Sequence, residues 1–386
     1  MIPYGRQDIT DQDINRVVEV LRSDFLTQGP AVPKFEEAVK MYVGANHAVA
    51  VNSATSALHI ACLALGLGPG DWLWTSPNTF VASANCARYC GAQVDFVDID
   101  PQTYNLSTNA LEAKLQQAER DGCLPKIVIP VHFAGQPCDM PAIHALGERY
   151  GFKTIEDASH AIGASYKDIK VGSCTHSDIT IFSFHPVKII TSGEGGMALT
   201  NDLNLAERLT RLRSHGITSD PDFMRARPAI EIWNYQQIEL GFNYRMTDIH
   251  AALGVSQMER LGAFVERRHE LAAMYNQSFT SMPLVSPWQH PDTFSSYHLY
   301  PIRIRERDCG KTQRQVYDAL WQNNIQVNLH YIPVHRQPYY EARGFRLGEF
   351  PEAERFHQEA ISLPMYAAMT NDQQTEVIEV MREILD

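Results

Sequence analysis

The chain has 386 residues, enough for two or three domains and for a hydrophobic core that needs no disulfide or metal to hold it. Hydrophobic residues make up 44% and charged residues 20%, with glycine and proline dispersed, which excludes disorder, coiled coil and collagen. A net charge of −12 argues against nucleic acid or an anionic membrane surface as partner, yet leaves small anions open, because a few placed cations dominate locally.

The opening MIPYGRQDITDQD lacks a basic stretch followed by an apolar one, and no run reaches the ~18 apolar residues of a membrane span. Seven cysteines (Cys62, Cys86, Cys90, Cys123, Cys138, Cys174 and Cys309) show no CxxC pair, and Cys86 and Cys90 read as one buried helix face rather than a metal site. A reduced, cytoplasmic protein is the expectation. In chain order, apolar periodicity predicts a helix over 33–43, a strand over 48–51 and a helix over 54–65 that stops at GLGPGD (66–71). That glycine-rich stretch follows a helix rather than a strand and does not complete GxGxxG, so it reads as a turn and speaks against a nicotinamide enzyme. Strands follow over 72–75, 94–97, 127–131, 154–156 and 179–182, with helices over 79–89, 110–120, 140–150 and 205–213. Short apolar strands separated by helices predict an α/β fold with a parallel sheet, whose ligands bind at the carboxyl ends of the strands. Beyond a helix carrying Ala251–Gly254, a second region is predicted: a charged helix over 258–278, a strand over 297–304, a helix over 313–322, a strand over 327–331 and a terminal helix over 372–385. The expected division is a large domain over 1–255 and a smaller α/β domain over 256–386.

The most informative stretch runs from 155 to 197. Asp157 follows one short apolar strand and Ser183 ends the next, with Lys188 five residues later in a loop that the glycines of SGEGG allow to turn sharply. Adjacent strands thus bring an acid, a hydroxyl and an amine to one crevice. An amine with an apolar approach shifts its pKa and becomes a nucleophile toward carbonyls. Singly, such an Asp is often a helix cap and such a Lys a solvated surface group; the combination carries the reading.

Four segments in order, NSATSALHIA (52–61), EDASHA (156–161), SFHPVKIITSGEGG (183–196) and NYRMTDIHAALG (243–254), resemble the DegT/DnrJ/EryC1/StrS family of sugar aminotransferases. The resemblance spans nearly the whole chain. It implies a pyridoxal-phosphate transferase of fold type I: a large domain with a mainly parallel seven-stranded sheet flanked by helices, and a smaller C-terminal α/β domain. It implies pyridoxal 5′-phosphate joined to Lys188, with Asp157 keeping the pyridine nitrogen protonated so that the ring can accept electrons. His160 stands where the family has Gln or His beside the phenolic oxygen, and Phe80 resembles the aromatic stacked on the ring. Ala54 and Thr55, with Ser56, open a helix whose N-terminal N–H groups suit a phosphate, helped by Ser183. Asn243 resembles the residue that reaches the phosphate from a second subunit, which implies a homodimer with shared sites.

The same resemblance implies L-glutamate as amino donor and a nucleotide-linked 4-keto-6-deoxysugar as acceptor. IPYGRQ (2–7), DFLTQGP (24–30), RLRSHGI (211–217), HYIPVH (330–335) and ISLPMY (361–366) narrow it toward amination at C4 of a UDP-linked 4-keto-6-deoxy-N-acetylhexosamine, with another nucleotide-linked 4-keto or 3-keto deoxysugar as the alternative, since related aminotransferases share several of these segments. Expected substrate contacts are Tyr4 and Gln28 near the sugar, Arg245 at the diphosphate, and His330 and Tyr331 near the nucleotide. No metal is expected, since His330 and His335 have no ligand spacing. Relatives with His in place of the lysine are sugar dehydrases, a branch that Lys188 disfavours. A binding protein without turnover is disfavoured by the intact set of Asp157, Ser183 and Lys188.

Overall fold

A computed structural model describes residues 1–226, 231 and 233–385. Seven strands form the central sheet: β1 (His47–Val51), β2 (Trp72–Thr75), β3 (Gln93–Phe96), β4 (Ile127–Ile129), β5 (Lys153–Asp157), β6 (Ile179–Ser183) and β7 (Gly196–Thr200). Their order is β1-β7-β6-β5-β4-β2-β3, parallel throughout except for β7, which runs antiparallel to both neighbours. Successive residues of β6 face opposite layers: Ile179 and Ile181 join a core with Ile155 and the helical Leu58 and Ile60, while Phe182 joins another with Phe35 and Met197. A strand buried on both faces reads as a continuous apolar run, which is why ITIFS is legible.

Helices cover both faces: α1 (Asp11–Leu21), α2 (Ala31–Val43), α3 (Ala54–Ala64), α4 (Ala82–Tyr89), α5 (Thr108–Asp121), α6 (Met140–Tyr150) and α7 (Leu203–Arg213). Further on come α8 (Asp248–Glu259), α9 (Leu261–Ser278), β8 (Tyr300–Arg303), α10 (Gln313–Gln322), α11 (Pro351–Glu359), β9 (Ala360–Leu363) and α12 (Asn371–Leu385). β8 and β9 pair antiparallel, and their residues pack with Tyr275, Leu320 and Val377 into a separate core that also takes in Ile2 from the N-terminus. No helix among the described residues is long and apolar enough to cross a membrane.

Two predicted elements differ, and one strand of the central sheet was not predicted. The helix expected over 258–278 is α9, separated from α8 at Arg260, whose guanidinium turns to Asp8 and Asp13. The strand expected over 327–331 is a single bridge between Asn328 and Ser362, because the Asn328 side chain captures the N–H of Leu329 (2.8 Å). β7 went unpredicted, since GMALT carries no β-branched run before its last residue.

Candidate active site

β5 and β6 are adjacent and parallel, with Asp157 opposite Ile181, so their carboxyl ends deliver Asp157 and Ser183 to the same edge of the sheet. There a cleft of about 800 Å³ opens. Asp157 is buried and held at both oxygens: Oδ2 accepts the Ser83 hydroxyl (2.6 Å) and Oδ1 the N–H of Ser159 (3.1 Å). Lys188 lies in the loop joining β6 to the antiparallel β7. That loop is closed at its base by Phe184, whose N–H donates to Gly195 and whose carbonyl accepts from Ser192, and it is anchored by the buried Ile189 and Ile190. Gly193 turns it at φ +82°, a conformation that favours glycine.

The third wall is the start of α3. Ser53 caps the helix by accepting the N–H of Ser56 (3.1 Å), and the Ser53 carbonyl takes that of Ala57. The N–H groups of Ala54 and Thr55 have no protein partner among the described residues, as the first turn of a helix requires. Gly196 allows this approach: a Cβ there would sit 2.5 Å from the Ala54 nitrogen. Since β1 precedes α3 and lies against β7, the sheet itself sets the helix terminus beside the lysine loop.

Burial pushes the Lys188 amine down to about 8, opposed by the negative charge of Asp157. Around it stand three buried histidines. His160 is held well below its ordinary value, first by burial and then by the charge of Lys188; His298 is lowered by burial with His160 and Lys188 adding to it; His330 is pushed down to about 3, again chiefly by burial. All three are neutral near pH 7. His160 lies tilted against His298, with ring centres 4.4 Å apart, and its Nε2 meets the Tyr331 hydroxyl at 3.2 Å, while His330 Nδ1 meets Ser362 Oγ at 2.9 Å. Burial raises the Tyr331 phenol, so its oxygen keeps its proton.

Ten of the expected site residues line this one cleft: Tyr4, Ala54, Thr55, Phe80, Asp157, His160, Ser183, Lys188, His330 and Tyr331. Gln28, Asn243 and Arg245 do not. Gln28 is exposed in the turn where Thr27 bridges Thr247. Asn243 is exposed and bridges Ser214, and Arg245 bridges Val51 through its backbone. Sequence reading missed Ser83, although it lies three residues beyond Phe80 in NTFVASAN and so is placed on the same helical side. It also missed His298 and Asn328, which line the cleft from a distant part of the chain and carried no local signal.

The family model described as "DegT/DnrJ/EryC1/StrS aminotransferase family" matches residues 7–382. The chain belongs to this family. It is 39% identical over its whole length to the spore coat polysaccharide biosynthesis protein SpsC of Bacillus subtilis, covering 97% of that protein. It is 37% identical to the UDP-4-amino-4,6-dideoxy-N-acetyl-beta-L-altrosamine transaminase of Campylobacter jejuni, covering 100% of this chain and 98% of the relative. Among solved structures, the Helicobacter pylori aminotransferase PseC, involved in the biosynthesis of pseudoaminic acid, superimposes with a TM-score of 0.90 at 29% identity, covering 100% and 99% of the two chains. The pyridoxal-phosphate form of a putative sugar aminotransferase, Spr1654 from Streptococcus pneumoniae, gives 0.88 at 27% identity and full coverage of both.

The protein is therefore an aminotransferase, and the family's cofactor, pyridoxal phosphate, is the group the cleft must fit. The donor set fits. Two helix N–H groups and the hydroxyls of Thr55 and Ser183 suit a phosphate. Phe80, 59% exposed within the lining and tilted against Tyr331 at 6.4 Å, offers an aromatic face to the cleft. His160 Nδ1 is a buried nitrogen with no partner among the described residues.

Proposed function

We infer that this protein transfers an amino group from L-glutamate to C4 of a UDP-linked 4-keto-6-deoxy-N-acetylhexosamine, giving UDP-4-amino-4,6-dideoxy-N-acetyl-β-L-altrosamine for pseudaminic acid biosynthesis. It acts in the cytoplasm as a homodimer with shared sites, in which residues 1–255 hold the cofactor and 256–386 form the smaller domain. The observation carrying the reading is the convergence of Asp157, Lys188 and the open start of α3 on one cleft. The named C. jejuni transaminase supports the choice of sugar.

Bound pyridoxal phosphate supplies an aldehyde to carry the amino group and a ring to receive an electron pair. Asp157, fixed by Ser83 and Ser159, holds a proton at the ring nitrogen through a charge-assisted hydrogen bond. Ala54, Thr55 and Ser183 would hold the phosphate, Phe80 would cover the ring, and His160 would donate to the phenolic oxygen. Lys188 Nζ would hold the cofactor's aldehyde carbon and, when free, would be the base that takes a proton from the substrate carbon. An amine near 8 suits both tasks, because it is neither locked as ammonium nor too weak a base at neutral pH. Tyr4, Gln28, His330 and Tyr331 contact the nucleotide sugar, and Arg245 serves the diphosphate. Gln28, Asn243 and Arg245 act from the partner subunit, which accounts for their standing outside this chain's own cleft.

The test is to supply L-glutamate with a panel of UDP-linked 4-keto and 3-keto deoxysugars, follow 2-oxoglutarate, and identify the product by NMR. Amination of the 4-keto-6-deoxy-N-acetylhexosamine at C4 is expected. The 39% identity to SpsC favours, as second reading, another nucleotide keto-sugar of cell-surface polysaccharide, and preferential turnover of a different panel member would establish it.

A further inference from the structure

We propose that Ser83 is a positioning residue, whose hydroxyl aims the Asp157 carboxylate at the cofactor's ring nitrogen. This deepens the function proposed above and rests on it.

Ser83 lies in the first turn of α4 and is wholly buried. Its Oγ donates to Asp157 Oδ2 at 2.6 Å, a length typical of a hydroxyl on a charged acceptor. Because Ser83 Oγ spends its one proton on Asp157, the neighbouring Thr79 hydroxyl, 2.9 Å away and equally buried, is the donor of their shared hydrogen bond. A directed relay thus runs from Thr79 to Ser83 to Asp157. On the other side the Ser159 N–H, two residues along, fixes Oδ1. A carboxylate has about four acceptor positions, and two are spent here, one on each oxygen. Rotation about χ2 would break both contacts, so the remaining lone pairs keep a fixed direction at the cleft wall. Ser83 Oγ also lies 3.5 Å from the Phe80 carbonyl, a far longer contact than the one to Asp157, while Cys86, one turn on, packs into the apolar core.

The same turn carries Phe80. Phe80 and Thr79 line the cleft, and α4 places Ser83 behind them, so the segment NTFVAS contributes both the ring-covering aromatic and the group that orients the acid beneath the ring nitrogen.

The experiment uses the full chain loaded with pyridoxal phosphate labelled with nitrogen-15 in the ring. In the parent protein the ring nitrogen resonates in the protonated range. For Ser83→Ala we expect the cofactor to stay bound and the melting temperature to change little. The ring-nitrogen signal should move toward the unprotonated range, and the single-turnover rate with L-glutamate should fall about tenfold, the loss of one hydrogen bond to a charged group. Ser83→Thr, which keeps the hydroxyl, should restore the signal. Thr79→Val should shift it in the same direction by less, and it decides the matter should Ser83→Ala fail to fold. A parent-like ring-nitrogen signal and rate in a cofactor-loaded Ser83→Ala or Thr79→Val overturns the positioning role alone. A parent protein that takes up no pyridoxal phosphate overturns this role together with the reading beneath it.

Discussion

Keeping Lys188 ready as an amine costs stability, and the cost can be measured. Burial lowers its proton affinity from the ordinary lysine value of 10.5 to about 8, which corresponds to about 3 kcal/mol of unfavourable burial when the group is charged. The attraction of Asp157 is already contained in that value, since it opposes the burial. The perturbation is Lys188→Met, which keeps an unbranched apolar stem in the same space and removes the charge. In the cofactor-free protein below pH 8, both folded and unfolded chains carry the ammonium, so the whole penalty is present and the Met variant should be more stable by up to about 3 kcal/mol. Between about 8 and 10.5 the folded chain has lost the proton that the unfolded chain retains. Parent stability therefore rises with pH across this window relative to the variant, and the difference closes toward 10.5. Urea unfolding of both proteins at neutral pH, near 9 and near 10.5 reads this directly. A variant no more stable than the parent at neutral pH, or one whose advantage grows with pH, would refute the assignment of Lys188 to a desolvated amine.

Three other outcomes follow from the same geometry. Asp157→Asn should retain cofactor yet slow the half-reaction with L-glutamate by about 10²–10⁴-fold in stopped-flow absorbance, and near-normal turnover would remove its role. Phe80→Ala should weaken cofactor affinity by about 3- to 10-fold in a fluorescence titration, the loss of one aromatic face, with no comparable change in melting temperature. If Asn243 works across an interface, mixing Lys188→Ala chains with Asn243→Ala chains should recover some activity in hybrid dimers; no recovery despite demonstrated subunit exchange would count against shared sites.

What could be read from the sequence was whatever depends on local pattern. ITIFS and TIED announce themselves because both faces of each strand are buried, and Asp157, Ser183 and Lys188 could be placed at one crevice because parallel strands end on the same edge. The residues that escaped do so for physical reasons. Ser83 is one small polar residue on an apolar helix, and its meaning comes from a partner 74 positions away. His298 is brought to His160 by the packing of separate segments, and nothing near either residue encodes that contact. β7 was invisible in part because it opens on the glycine that lets α3 approach, a demand of close packing that overrides strand propensity. Asn328 ended a predicted strand by taking a neighbour's N–H with its own side chain, a local competition that hydrophobic alternation does not register.

The electrostatics of the cleft explain how a chain of net charge −12 can accommodate a phosphorylated cofactor. The ionisable residues lining it are Asp157, Glu194, Lys188 and five histidines, and the three most buried of those histidines are neutral. Within this chain the phosphate would therefore be held by oriented dipoles rather than fixed cationic side chains, namely the N–H groups of Ala54 and Thr55, which have no partner among the described residues, and the Ser183 and Thr55 hydroxyls. Such dipoles contribute about 0.3–2 kcal/mol at a helix terminus, too little alone for a buried dianion. They have one advantage over a lysine or arginine in the same place. A permanent cation beside the phosphate would also stand near Lys188 and depress its proton affinity further, leaving too weak a base for the proton transfer assigned to it. Neutral donors bind the anion without disturbing the amine. The one full charge acting favourably on Lys188 is then Asp157, which raises what burial lowers and sets the balance near 8.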